Sequence, residues 1–402
     1  MNGRVGRMRW VFVVIAAVAM GIAGTYQFAW SSIRIALGAQ IAAPEAALGT
    51  VLTVFVVFQT ISQFPAGWIR DRYGPKLPLL LAVPLVTLGY VGVGYAGRPL
   101  DAYLAYAVGG IGAGIAYTIA INTPVKWFDE RRGLATGIVS MTYGGISFLL
   151  IPLVRRGVAT DFRTTLVGLA VVAGLGVLVG VPLLRDPDSE HGTDSEEASA
   201  STSDLTADRA LNWRDAIRTW QFWLLYAVFI VVNGVGLMLI GKVVAYASAL
   251  GLTDATGTAS ASLVALGDAA GLVVIGHLSD RFGRERTVAV SLMIAGLATI
   301  GTVVVGDIGM GAGFVIVATA AAFFRSPAFV ILPSLVGEYY GTTYSSENYA
   351  ALYTAKLWGG VIGGTVASTL IAAVGWTMTF GLGGGLLTLA GVLAVALRPV
   401  EV

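Results

Sequence analysis

The sequence predicts an all-α membrane protein, in which twelve transmembrane helices form two pseudo-symmetric bundles of six. Three observations lead to this prediction: a low charge content, a series of twelve apolar segments, and a loop motif that occurs in both halves. Of the 402 residues, 56% are hydrophobic and only 12% are charged. Soluble domains carry roughly 25% charged residues. Most of the surface of this chain is therefore expected to face lipid rather than water.

Twelve apolar segments are each long enough to cross a bilayer, whose hydrocarbon core of roughly 30 Å needs about 20 residues in a helix. They lie near residues 10–37, 47–69, 77–96, 101–123, 133–154, 162–184, 220–248, 256–279, 287–306, 310–336, 346–372 and 377–397. One long acidic segment, rich in Ser and Thr, separates the sixth from the seventh. We therefore expect a first bundle over 1–184, a flexible cytoplasmic linker over 185–218 and a second bundle over 219–402.

The basic residues predict which way the helices cross the membrane. With both termini placed in the cytoplasm, seventeen Lys and Arg residues lie on the cytoplasmic side and about five on the other. Cytoplasmic loops of membrane proteins carry such an excess of positive charge. We therefore expect a multi-pass protein of the cell membrane with both termini in the cytoplasm.

A loop motif that follows the second segment recurs after the eighth. Its pattern is Gly-x-x-x-Asp-Arg-aromatic-Gly, formed by Gly67, Asp71, Arg72 and Gly74 in the first half and by Gly276, Asp280, Arg281 and Gly283 in the second. This duplication, with twelve spans and a central linker, resembles the major facilitator superfamily, which implies two related halves with a substrate bound between them. We interpret the motif as part of a gate whose charges pair in one state and separate in the other. A loop that only sets topology is the alternative.

Four ionisable residues lie deep within predicted spans of the second half: Lys242, Asp268, Arg325 and Lys356. A charge at the bilayer centre costs about 2.5–3.5 kcal/mol on insertion scales, so each needs a partner or a function. Three cations and one anion predict a positive cavity, which favours an anion. Lys356 follows Tyr349 and Tyr353 by seven and three residues, so the three side chains share a helix face that suits a carboxylate.

The same region resembles a narrower family. Residues 338–356, the loop 125–135 and the aromatic run 25–30 are similar to the oxalate:formate antiporter family, a branch related to the monocarboxylate transporters. The resemblance implies that Lys356 binds a substrate carboxylate. The chain departs from the oxalate-binding members at Leu272, where those members have an arginine on the eighth helix.

Asp268 and Arg325 are open to two interpretations. Asp268 resembles the acid of proton-coupled monocarboxylate carriers, and Arg325 presents a planar fork that suits a second carboxylate. Alternatively, the two side chains neutralise each other and do not touch the substrate. Lys242 and Arg34 lie nearer the outer ends of their spans, where either substrate contact or the membrane interface explains a cation.

Neutral residues of the first half complete the predicted substrate site. The site as a whole comprises Lys356, Arg325, Tyr353, Tyr349, Gln27, Trp30, Tyr143 and Gln59. A further set on one face of the fourth helix also fits ordinary helix packing: Tyr106, Gly110, Gly114 and Tyr117.

Together these residues predict a secondary transporter of a small organic anion, such as oxalate, formate or lactate, that works by alternating access. Anion exchange and proton symport are both open as driving modes. The alternatives are a carrier of drugs or sugars in the same superfamily, and a membrane sensor that does not transport. The chain has no cysteine, two histidines, no catalytic constellation and no nucleotide-binding motif. We therefore expect no enzyme activity, cofactor, metal or nucleic-acid partner, and function as a monomer.

The predicted topology can be tested with a single cysteine, introduced by Ser201→Cys into the linker of this cysteine-free chain. A membrane-impermeant thiol reagent should leave this cysteine unmodified in intact cells and should label it once the membrane is permeabilised. Labelling from outside intact cells would show the opposite orientation.

Overall fold

The computed structural model describes residues 2–128, 132–184, 211–341 and 344–399, and these residues form helices and no strand. Twelve helical segments in the described part of the chain are long and apolar enough to cross a membrane, which agrees with the twelve predicted segments. We number them as spans 1 to 12. Successive spans alternate in direction, so each loop lies on the side opposite to the next.

The helices of the first half form spans 1 to 6, and span 1 consists of two of them. Their bounds are Asn2–Phe28, Trp30–Gln40, Glu45–Tyr73, Lys76–Gly94, Pro99–Trp127, Arg132–Thr160 and Phe162–Leu183. Spans 7 to 12 are formed by Trp220–Ala249, Asp254–Phe282, Arg284–Asp307, Gly311–Arg325 with Ala328–Tyr340, Ser345–Tyr353 with Ala355–Val361 and Ala367–Val374, and Trp376–Ala394. A π-helix over Ile362–Val366 joins the last two pieces of span 11.

Spans 1, 10 and 11 are each interrupted within their length. The interruption in span 10 is caused by Pro327, which has no N–H to donate to the carbonyl four residues earlier. The hydroxyl of Ser326 donates instead to that carbonyl, on Phe323, at 3.3 Å. The interruption in span 11 falls at Thr354, two residues before Lys356. Irregular backbone therefore lies beside two of the predicted site residues, where lipid would not tolerate it without internal partners.

Two large hydrophobic clusters hold the helices together. One consists of buried residues between 12 and 184 together with Leu237, and the other of residues between 216 and 397 together with Phe28 and Ile151. Each half thus has its own core, and a few side chains cross between them. The boundaries of the two bundles stay a prediction, because most of the linker lies outside the described residues.

The last part of the predicted linker packs on the second half. The backbone N–H of Leu211 donates to the carbonyl of Tyr340 at 3.0 Å, and the amide of Asn348 donates to the carbonyl of Leu211 at 2.9 Å. The side chain of Asn212 accepts from backbone N–H groups at the start of the short helix Trp213–Ala216. These bonds attach the chain to spans 10 and 11 before span 7 begins.

Small residues allow the backbones of neighbouring spans to come into contact. Such close packing stabilises helix association in a membrane, because the hydrophobic effect does not drive helices together in lipid. A Cβ atom on Gly384 of span 12 would lie 2.8 Å from the carbonyl oxygen of Gly296 and 2.9 Å from the backbone nitrogen of Ile300, both in span 9. The next residue, Gly385, has open space around the same position.

This adjacent pair allows a matched test of the packing. We expect Gly384→Ala to lower the free energy of unfolding by about 1–3 kcal/mol, because backbone atoms of span 9 must move to accommodate the methyl group. Gly385→Ala should be neutral or stabilising, since alanine favours a helix by roughly 1 kcal/mol over glycine. Thermal unfolding of the purified variants measures both. Equal stability of the two variants would contradict the close approach of spans 9 and 12.

Candidate functional site

A cavity of about 1160 Å³ lies between the two halves of the molecule. On span 2 its lining runs from Thr60 to Trp68, in the part of the helix next to the first loop motif. On span 11 it runs from Tyr349 to Leu357, close to the start of the helix on the same side. The cavity therefore opens on the side of the two loop motifs, 67–76 and 276–286, which we call the motif side. We call the opposite side the far side.

Lys356 of span 11 lies at the inner part of this cavity. Its ammonium donates to the side-chain oxygen of Gln59 at 3.2 Å and to the hydroxyl of Tyr353 at 3.3 Å. The ammonium also lies 5.8 Å from the centre of the Tyr117 ring. Among the described residues, no carboxylate lies within 4.0 Å of it. Lys356 is thus held by neutral oxygens and an aromatic face, with no charged partner in the described structure.

A chain of hydrogen bonds from the first half orients the partner of Lys356. The hydroxyl of Tyr143 accepts from the side-chain nitrogen of Gln59 at 2.9 Å and donates to the side-chain oxygen of Gln27 at 3.0 Å. Because its nitrogen is used in this way, the amide of Gln59 turns its oxygen toward the lysine. Side chains of spans 1, 2 and 5 thus position one neutral hydrogen-bond acceptor, the side-chain oxygen of Gln59, against the ammonium of Lys356 in span 11.

Arg325 and Asp268 form a buried ion pair in the cavity wall. Their side chains are 4% and 12% exposed, and a second guanidinium nitrogen of Arg325 lies 3.4 Å from the carbonyl oxygen of Val232. The guanidinium also lies over the ring of Phe329, at 5.3 Å. The structure shows the two side chains paired with each other, whereas a proton-coupling role of Asp268 and a substrate contact by Arg325 stay predictions.

The remaining predicted residues divide between the cavity and the helix core. Tyr349, Tyr353, Tyr143 and Gln27 line the cavity, as do Tyr117 and Leu272. Gln59 is fully buried behind the lining and acts through its hydrogen bonds. Trp30, predicted as a substrate contact, does not line the cavity, because its fully buried ring packs against Tyr106 at 4.9 Å.

The face of span 4 that carries Tyr106, Gly110 and Gly114 belongs to the core. A Cβ atom on Gly110 would lie 2.7 Å from the carbonyl oxygen of Phe55, and one on Gly114 would lie 2.3 Å from that of Gln59. These glycines let span 4 approach span 2. Helix packing, the alternative given for this face, accounts for them.

Glycines of the motif loops adopt a backbone conformation that suits glycine. Gly74 and Gly283 have φ angles of 75° and 87°, in a region that residues with a side chain rarely adopt. The guanidinium of Arg72 lies 4.2 Å from the ring centre of Trp68, and Asp280 lies 3.6 Å from Arg284. The side chain of Asp71 lies outside the described part of the structure. The gating role of the motif, including Gly67, Gly276 and Arg281, stays a prediction.

Lys242 and Arg34 do not line the cavity. Both contact Glu45, the first residue of span 2, on the far side of the molecule. Glu45 was not predicted as a site residue, since it stands at a predicted helix start where an acidic residue is ordinary. The described residues include no group of three or more His, Asp or Glu that could hold a metal ion.

A profile of the Major Facilitator Superfamily matches residues 11–257 and 230–402, and so covers nearly the whole chain. The protein belongs to the Major Facilitator Superfamily. It is therefore a multi-pass membrane transporter and not an enzyme, as the duplicated loop motif indicated. Within this superfamily, the chain is 28% identical over 382 residues to the oxalate:formate antiporter of Oxalobacter formigenes, covering 92% of this chain and 87% of that protein.

Two further comparisons agree with this membership. A gallate transporter of Pseudomonas putida is 24% identical over 394 residues, covering 88% of this chain and 82% of that protein. The crystal structure of a D-xylose-proton symporter superposes with a TM-score of 0.77 over 96% of this chain and 97% of that one, at 15% sequence identity. The structural likeness confirms the major facilitator fold.

The ion pair in the cavity wall can be tested by a double-mutant cycle. Asp268→Asn and Arg325→Gln should each destabilise the protein by about 3–5 kcal/mol, because each change leaves the other charge buried without its partner. The double variant should lose less than the sum of the two, since neither charge is left. Chemical unfolding of the purified variants provides the values. Additive losses would show that the two charges do not interact.

Proposed function

We propose that this transporter moves small organic monocarboxylates by alternating access between its two halves. The observation that carries the proposal is Lys356, a buried cation in the central cavity that has hydrogen bonds but no carboxylate partner among the described residues. A lysine ammonium has three N–H donors, and Gln59 and Tyr353 take two. The third donor is available to a solute in the cavity.

The balance of charge in the cavity favours a solute with one carboxylate. The described lining contains three charged side chains, those of Lys356, Arg325 and Asp268. Since Arg325 and Asp268 neutralise each other, the lining has one net positive charge. A monoanion compensates this charge, whereas a dianion such as oxalate would leave a buried negative charge without a partner. Leu272 adds an apolar side chain to the wall and no second cation.

The character of the relatives supports a carboxylate as the solute. Oxalate, formate and gallate, which appear in the names of two relatives, are all carboxylates. A neutral sugar would provide no compensation for the buried cation, which weighs against a sugar carrier. The hydroxyl groups of Tyr349 and Tyr353, which also line the cavity, add neutral donors for the same anionic group.

The state of the cavity fits one half of a transport cycle. If the motif side is cytoplasmic, as the basic residues predict, the cavity is open to the cytoplasm and closed toward the outside. We place the protein in the cell membrane on the same grounds. Exchange of anions and symport with protons both agree with this geometry, and transport assays distinguish them.

We expect Lys356→Gln to lower the affinity for a monocarboxylate by roughly 30-fold or more, because removing one partner of a buried charge pair costs about 2–5 kcal/mol. Uptake of radiolabelled formate, lactate, acetate and oxalate into proteoliposomes measures the effect. The matched control is Arg98→Gln, which also removes one positive charge but at a side chain that is 74% exposed. This control should transport as the parent does.

The same assay separates the coupling modes. Uptake that rises with an imposed proton gradient indicates symport, and uptake that requires an internal carboxylate indicates exchange. Unchanged carboxylate uptake by Lys356→Gln would contradict the proposed function, as would a clear preference of the parent protein for oxalate over all monocarboxylates.

A further inference from the structure

A second charged site lies on the far side of the molecule, away from the mouth of the cavity. It consists of Arg34 in span 1, Glu45 in span 2, Lys242 in span 7 and Ser368 in span 11, which we call the far-side cluster. The ammonium of Lys242 lies 3.3 Å from one carboxylate oxygen of Glu45, and the hydroxyl of Ser368 donates to the same oxygen at 3.1 Å. Arg34 forms an ion pair with this oxygen as well. One carboxylate oxygen thus serves two cations and a hydroxyl.

The far-side cluster has more positive charge and more donors than Glu45 can satisfy. The side chains of Arg34 and Lys242 are 1% and 0% exposed, whereas that of Glu45 is 22% exposed. Two guanidinium nitrogens of Arg34, Nε and Nη1, are buried and have no hydrogen-bond partner among the described residues. Two buried cations therefore share one carboxylate, with N–H groups left over. Such an arrangement has the chemistry of a carboxylate-binding site that is filled by the protein's own side chain.

The far-side cluster also joins the two halves of the transporter. Arg34 and Glu45 belong to the first six spans, and Lys242 and Ser368 to the last six. Directly below, spans 2 and 11 touch. The hydroxyl of Thr53 donates to the carbonyl of Gly360 at 3.0 Å and accepts from the backbone N–H of Thr365 at 3.0 Å.

Opening of the far side must break the far-side cluster. The hydrogen bonds of Thr53 end on and beside the π-helix Ile362–Val366 of span 11, a type of turn that often occurs at functional sites. When spans 2 and 11 separate, Glu45 cannot stay in contact with cations of both halves. At least one buried cation then loses its carboxylate while water and solutes gain access to it.

We propose that Arg34 and Lys242 form a second carboxylate-binding site, which Glu45 occupies in the closed state and a small monocarboxylate from the far-side solution occupies when Glu45 is displaced. The ligand class follows from the donors, because a carboxylate is the group that they already bind. Arg34 and Lys242 lie outside the lining of the central cavity, to which Lys356 belongs. A solute that arrives from the far side would meet this site before the central cavity.

The test uses chemical rescue of a missing carboxylate. In Glu45→Ala, two buried cations face each other across the interface without a counter-charge, so the far side should open more often. Leu52→Cys provides the reporter, since Leu52 is 1% exposed, does not line the cavity and packs near Gly241, and the parent chain has no cysteine. The quantity to be measured is the rate at which a maleimide reagent alkylates this cysteine in the whole chain in lipid nanodiscs.

We expect Glu45→Ala to speed alkylation by about tenfold or more, because stranding buried charges shifts an equilibrium by at least that factor. Added sodium formate should restore slow alkylation in a saturable manner, and sodium chloride at equal concentration should do so less well. The matched control is Asp254→Ala, which removes another far-side carboxylate that joins the halves, 3.4 Å from Arg155 but fully exposed. It should change alkylation little and show no response to formate.

Two further variants show whether formate acts at the far-side cluster or in the central cavity. Rescue should persist when Lys356→Gln is added to Glu45→Ala and should disappear when Lys242→Gln is added. Loss of rescue with Lys356→Gln but not with Lys242→Gln would assign the effect to the central cavity and overturn the proposal, as would no rescue by formate at all. If Glu45→Ala does not fold, Glu45→Gln replaces it, and formate should raise its melting temperature unless Lys242→Gln is also present.

Discussion

A charge in the hydrocarbon core of a bilayer finds no partner except those that the chain itself provides, and the arrangement of the described charges in this protein follows from that constraint. Arg325 has Asp268, and Lys242 shares Glu45 with Arg34. Each pair joins different spans, so the charges hold helices at fixed positions as well as neutralising one another. Lys356 differs from them, since its described partners are neutral.

The same constraint determines how the backbone can be interrupted. Span 10 is broken by Pro327, and a neighbouring hydroxyl takes up the carbonyl that the proline leaves without a donor. Elsewhere glycines bring helices together, as where Gly110 and Gly114 pack span 4 against span 2. The three broken spans, 1, 10 and 11, contribute side chains to the cavity lining, together with unbroken spans of both halves. The charged side chains of Arg325 and Lys356 are both buried within the protein.

Much of the fold could be predicted from the sequence, because hydrophobic length and loop charge are local properties. All twelve spans were predicted close to their observed positions, and the duplicated motif indicated the superfamily. Lys356 with Tyr349 and Tyr353 could be assigned to one face because the three lie at helical spacing on one span. The sequence could not show whether a polar face meets the cavity or a neighbouring helix, which is why Trp30 was placed in the site although it lies in the core.

Contacts between distant spans were the part that the sequence could not provide. Glu45 and Lys242 are separated by nearly two hundred positions, and no spacing rule connects them. Arg325 and Asp268 could be named as a candidate pair, but only their geometry shows that they meet. Such pairs depend on how the two halves are packed against each other.

The unpaired lysine has an electrical consequence for the transport cycle. On the proposed function, the described cavity lining carries one net positive charge when empty and none when a monocarboxylate is bound. The membrane potential acts on a charge that moves through it with about 2.3 kcal/mol per elementary charge per 100 mV. The membrane potential would therefore act on the step in which the empty carrier returns. It would not act on the step in which the loaded carrier moves. A cycle of strict exchange has no empty return and would be insensitive to voltage.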